Sequence, residues 1–155
     1  MHEGNRAVAH STRRVTQGPP RRRLQERQWQ AHRQDVERTR RYVEREGLVG
    51  VLNDTKWEEL IQAMRALAFG PQYRQKHVRA EEPADWDGEW YYHLRPFSCV
   101  EWVDIDPFDR DHSPPIDHTA EVEAALRRIH VPFSREGQYL RVWGYTRPGS
   151  AAVFA

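Results

Sequence analysis

The sequence predicts an α+β fold: a mainly antiparallel sheet of about four strands with amphipathic helices on one face, preceded by an Arg-rich helix. Apolar residues recur at helical spacing in two well-signalled segments and alternate at strand spacing in others, and Gly or Pro punctuates the boundaries. With 155 residues, 38% of them apolar, the chain has material for one core and an appendage.

Residues 1–20 are polar, lack apolar periodicity and end in Gly18-Pro19-Pro20, which predicts a disordered tail. From Arg21 to Glu46 helix formers run without Gly or Pro, but Trp29, Val36 and Val43 give only a thin apolar seam. This Arg-rich extension ends at Gly47, and an α+β domain is expected over 47–147, with a C-terminal tail at 148–155. Its removal is expected to leave a folded domain.

The next helix is the clearest element. Thr55 to Glu58 fits a capping box, and Trp57, Leu60, Ile61, Met64 and Leu67 share one face before Gly70-Pro71. Tyr73 to Arg79 reads as a polar edge strand. After the Asp87-Gly88 turn, Glu89 to Arg95 reads as a strand with Trp90, Tyr92 and Leu94 inward and Tyr91, His93 and Arg95 outward. Val100 to Asp106 gives a third strand. A helix starting near Asp117 to Thr119 carries Val122, Ala125, Leu126 and Ile129 on one face. Tyr139 to Tyr145, the fourth strand, alternates Leu140 and Val142 against Tyr139, Arg141, Trp143 and Tyr145.

Charge divides the chain. Residues 1–46 hold twelve Arg against six acids, and the remainder holds twelve basic residues against seventeen acids. A single cysteine, Cys99, excludes an internal disulfide, and no signal peptide or membrane-length apolar run is visible, so a cytoplasmic protein without membrane contact is expected.

Six segments in order, NDTKWEEL from Asn53, PQYRQKHVR from Pro71, WDGEWYYHL from Trp86, VEWVDIDP from Val100, IDHTAEVEAAL from Ile116 and LRVWGYTR from Leu140, carry a resemblance. Together they resemble a small bacterial family of domains of unknown function, across roughly Gly47 to Arg147. Some small bacterial domains of this kind sit beside polymorphic toxins as immunity proteins. The resemblance supplies no reaction, and the Arg-rich segment departs from the shared core.

Candidate chemistry is sparse. Asp104, Asp106, Asp109, Asp111, His112, Asp117 and His118 could ligate a divalent metal, but their spacing matches no defined site. The simpler reading makes Asp106 and Asp109 turn formers and Asp117 a helix cap, so no metal or other cofactor is expected. Cys99 with His93 or His112 could form a thiol–imidazole pair, and Glu89 or Glu101 with Asp104 an acid/base pair. The absence of nucleophile-elbow, phosphate-loop and dinucleotide motifs favours a non-enzymatic protein, with Cys99 as a small buried residue.

The expected function is therefore binding, of the immunity type, with a basic cognate protein toxin as partner. Tyr91, His93, Arg141, Trp143 and Tyr145 are the expected anchors on an exposed sheet face, and Glu101 and Asp104 the expected steering acids. Two alternatives are a nucleic-acid-associated regulator using the Arg-rich helix, whose interleaved acids favour a solvated face instead, and a small metal-dependent hydrolase using the Asp/His loop.

Overall fold

The computed structural model describes residues 21–150 and 154–155; the expected tail at 1–20 and residues 151–153 lie outside the described residues. Helix α1 spans Arg21–Glu46, α2 Asp54–Arg65 and α3 Thr119–Arg128. Four strands, β2 (Tyr73–His77), β3 (Val100–Ile105), β6 (Phe133–Glu136) and β7 (Tyr139–Trp143), form one antiparallel sheet in the order β2-β3-β7-β6. Short pairs complete the fold: β1 (Val49–Gly50) with β8 (Tyr145–Thr146), and β4 (Phe108–Asp109) with β5 (Ile116–Asp117).

The α+β class and the strand count match the expectation, but one strand is a different one. Glu89 to Arg95 forms no strand, because the Glu89 carboxylate accepts the backbone N–H groups of Tyr91, Tyr92 and His93 at 3.2, 2.6 and 3.3 Å and curls the segment into a turn. Its one ladder contact with the sheet is a bridge between Tyr73 and Asp87 just before it, and side chains of β2 hold the turn itself, Gln75 donating to the His93 carbonyl at 3.0 Å and the Tyr73 hydroxyl to the Glu89 carbonyl at 2.9 Å. Trp90 and Leu94 are nevertheless buried, whereas Tyr92, expected inward, is 74% exposed. The fourth strand is β6, reached from α3 through Val131-Pro132.

Helix α2 begins two residues ahead of the expected box. Asn53 is its N-cap, the side chain accepting the Lys56 N–H at 2.9 Å. Trp57, Leu60, Ile61 and Met64 of α2, with Val122, Ala125 and Leu126 of α3, pack on the sheet face formed by Tyr73, Val103, Ile105, Phe133, Leu140 and Val142. At the end of β7, Gly144 lies so close to β3 that an added Cβ would stand 2.2 Å from the Val100 carbonyl oxygen.

Two compact units divide within α1, between Arg33 and Gln34. In the first, Trp29 is 67% exposed and meets His32 edge-on. In the second, the last turns of α1 belong to the same packed body as the sheet. Thr39 is buried, its hydroxyl accepting from Arg79 Nε at 3.3 Å and from the Cys99 thiol at 3.5 Å, while Asp35 pairs with Arg79 and the Tyr42 hydroxyl meets Arg147 at 3.5 Å. That body thus starts ahead of Gly47. Val36 and Val43 are half-buried there, so the seam expected over Trp29, Val36 and Val43 packs only in its later part.

Candidate functional site

The sheet face turned away from α2 and α3 is set by register. Trp102 pairs with Trp143, Asp104 with Arg141, and Arg74 with Asp104, so alternation along β2, β3 and β7 places these five side chains on one surface. Asp104 is 0% exposed at its centre. Arg141 holds it from β7 with two bonds, Nε to Oδ1 at 2.6 Å and Nη2 to Oδ2 at 3.0 Å, and Arg74 adds Nε to Oδ2 at 3.1 Å from β2.

Both guanidinium groups also lie against rings. Arg141 stands 3.7 Å from the Trp102 centroid and 5.4 Å from that of Trp143; Arg74 stands 5.0 Å from Trp86 and 5.3 Å from Tyr139. Trp143 donates Nε1–H to Ser134 Oγ at 2.9 Å, which fixes the ring's tilt. Trp86, Tyr139, Arg141 and Trp143 each remain half-exposed. The result is an aromatic and guanidinium layer joined by cation–ring contacts and anchored on Asp104 and Ser134.

A second buried carboxylate borders it. Glu101 accepts from Lys76 Nζ at 2.5 Å and from Arg147 Nε at 2.7 Å. Burial alone would push its carboxyl up, but the Arg147 and Lys76 bonds and charges outweigh that and hold it below its ordinary value. The same pairing with Glu101 raises Arg147.

Of the residues expected to bind a partner, the structure gathers Glu101, Asp104, Arg141 and Trp143 on this face. Glu101 and Asp104 are buried and doubly paired, so they organise the surface from beneath and cannot act as steering acids at its rim. Tyr91 and His93 are elsewhere, on the helix side. The Tyr91 ring, 42% exposed, sits beside the guanidinium groups of Arg65 and Arg95, and His93 Nδ1 meets Asp87 at 2.6 Å. Tyr145 belongs to the β1–β8 pair and donates its hydroxyl to the Ser98 carbonyl at 2.9 Å; burial raises its phenol. Trp86, Arg74, Trp102 and Tyr139 were not among the residues expected from sequence to bind a partner. Their signal is the alternation of Arg74 with Lys76 and of Trp102 with Asp104, which acquires meaning only when the strand partners are known.

The Asp/His loop is built from local turns. Asp106 accepts the Phe108 N–H at 3.1 Å and pairs with Arg110 at 2.6 Å, Asp109 accepts the Asp111 N–H at 3.1 Å, and Asp117 accepts the Thr119 N–H at 2.8 Å. His112 lies 3.2 Å from Asp109, and His118 stacks on Phe69 with centroids 4.1 Å apart. Cys99 faces neither His93 nor His112; its histidine neighbour is His77.

No described helix is long and apolar enough to cross a membrane. Comparison with curated proteins and with solved structures gave no match. The profile of a family of unknown function, DUF6678, matches residues 39–149, a span that takes in the sheet, α2, α3 and the last turns of α1. The chain belongs to the DUF6678 family of unknown function.

Proposed function

We propose that the protein is a non-enzymatic binding protein of the immunity type, which neutralises a cognate bacterial toxin in the cytoplasm by direct contact through the Arg141 face. The observation that carries this reading is Arg141 itself, bound to Asp104 and lying between Trp102 and Trp143. Tryptophan and arginine are the side chains that most often anchor interfaces, and here their rotamer freedom is already spent in folding, so association need not offset it again. Glu101 and Asp104 are covered, so they do not themselves steer the basic partner expected from sequence. Arg74, Lys76, Arg141 and Arg147 outnumber those two carboxylates, so the complementary toxin patch carries carboxylates and pockets for rings.

The test is a co-expression growth assay with the product of the adjacent gene, followed by binding kinetics. Wild-type protein is expected to restore growth, and Trp143→Ala or Trp86→Ala to dissociate faster while keeping a cooperative melt. Unchanged binding by both folded variants, or no binding by the wild type, removes this reading.

A second reading concerns residues 21–33. Arg22, Arg23, Arg27 and Arg33 are exposed and make no ion pair among the described residues, whereas Arg40, Arg41 and Arg45 are each paired with a glutamate of the same helix. Unpaired arginines beside an exposed Trp29 suit a nucleic-acid backbone and a stacking base. Salt-dependent oligonucleotide binding that disappears on removal of residues 1–33 would establish it.

A further inference from the structure

Three donor side chains from three separate parts of the fold converge where β2 ends and β3 begins. Asp35 comes from α1, His77 from the end of β2, and Cys99 from the short 3₁₀ turn that leads into β3. One donor atom from each lies within 4.8 Å of the other two. His77 Nε2 is 3.6 Å from Asp35 Oδ2, and Cys99 Sγ is 4.0 Å from the same oxygen. An imidazole N–H and a carboxylate in direct hydrogen bond stand about 2.7–2.9 Å apart, so the His77 pair is too long for one. It is the right length for something else. A tetrahedral zinc with nitrogen and oxygen ligands at about 2.0–2.1 Å and sulfur at about 2.3 Å spaces its ligand atoms roughly 3.3–3.6 Å apart.

We propose that Asp35 Oδ2, His77 Nε2 and Cys99 Sγ form a binding site for a borderline divalent cation of the zinc type. Two neighbours prepare it. Arg79 binds the other carboxylate oxygen, Oδ1, and so turns Oδ2 toward His77 and Cys99. The buried Thr39 hydroxyl lies 3.5 Å from Cys99 Sγ and can reverse its role, accepting from the thiol and donating to the thiolate. His77 and Cys99 also line a cavity of about 290 Å³ that Gln75, Glu82, Arg95 and Pro96 help to enclose. Three protein ligands bordering a cavity leave a fourth position for water or a small anion.

His77 Nδ1 accepts the Arg79 backbone N–H at 3.1 Å, which places the ring proton on Nε2, facing Asp35. On loading, the metal takes Nε2, the ring keeps its proton by shifting it to Nδ1 at the expense of the Arg79 amide contact, and the thiol proton leaves to solvent. Because Asp35 is on α1 and the other two ligands flank the sheet, the ion would tie the later turns of that helix to β2 and β3. The site is independent of the Arg141 face and of the toxin reading.

The probe is Co²⁺, added to the full, tag-free chain under reducing conditions, then displaced by Zn²⁺. Saturation at one equivalent is expected, with a thiolate-to-metal charge-transfer band and the strong visible bands of tetrahedral cobalt. Cys99→Ser is expected to remove the charge-transfer band, His77→Gln to weaken binding by at least tenfold, and His112→Ala to change neither. Should Cys99→Ser fail to fold, zinc-edge X-ray absorption of the wild type, with one sulfur ligand at about 2.3 Å expected, gives the same answer. Weak octahedral bands, no saturation near one equivalent, or loss of binding in His112→Ala would overturn the site.

Discussion

Arg141 and Asp104 face each other across β7 and β3 and share two hydrogen bonds, at 2.6 and 3.0 Å, in a place where the carboxylate has no contact with solvent. A buried carboxylate held this way is tolerable only with its cations in place. Asp104→Ala is expected to lower unfolding free energy by about 3–5 kcal/mol, because it leaves Arg141 and Arg74 facing each other without a counter-charge. Arg74→Ala, which still leaves Arg141 on the carboxylate, is expected to cost less. Urea denaturation of both variants and of the double mutant measures the coupling.

Glu101 links stability to pH. Its folded pKa is depressed, so its stabilisation is fully present above the unfolded value, about 4.3, and is lost as pH falls through the lower folded value. Glu101→Gln is therefore expected to be less stable than wild type at neutral pH, with the gap shrinking below about pH 4. Thermal melts over an acid series check it; a constant gap would mean that Glu101 acts through packing alone.

The helical extension is expected to split functionally at the division between Arg33 and Gln34. Removal of residues 1–33 should leave the melting temperature nearly unchanged. Removal of residues 1–46 takes away Asp35, Thr39 and Tyr42 and leaves Arg79, Cys99 and Arg147 without those partners, at about 0.5–1.5 kcal/mol for each hydrogen bond. The expectation from sequence, a folded domain after removal of residues 1–46, is thus expected to hold only at a cost in stability.

Gly144→Ala is expected to destabilise by about 1–3 kcal/mol or more, since the new Cβ meets a backbone oxygen and the Trp57 ring at 2.2 and 3.0 Å and neither can withdraw freely. A comparable loss is not expected at Gly88, where nothing stands within 4 Å of an added Cβ. Paired denaturation curves for the two variants make the comparison.

Much of this architecture was legible because its signals were local. Trp57, Leu60, Ile61 and Met64 fall at helical spacing, and Leu140 and Val142 at strand spacing, and each segment buries the face its pattern names. The segment around Glu89 misled for a local reason of another kind. Its alternating rings imitate a strand, but one carboxylate captures three successive amides and wins the competition for the backbone. The Arg141 face was only half legible. Every residue of β3 is buried, so no amphipathic pattern distinguishes Trp102 and Asp104 from Val103 and Ile105. Long-range pairing supplies that distinction, as it does for Asp35, His77 and Cys99.

The position of β7 between β3 and β6 has a consequence for biosynthesis. As the chain emerges, β2 and β3 can pair early, but the other side of β3 stays open while β4, β5, α3 and β6 are made. Throughout that interval Val103 and Ile105 lie on a strand with a free hydrogen-bonding edge, the condition under which nascent chains recruit one another. A ribosome stalled after α3 would therefore release an adhesive fragment rather than a smaller folded domain, and arrival of β7 is the step that makes the polypeptide safe in a crowded cell.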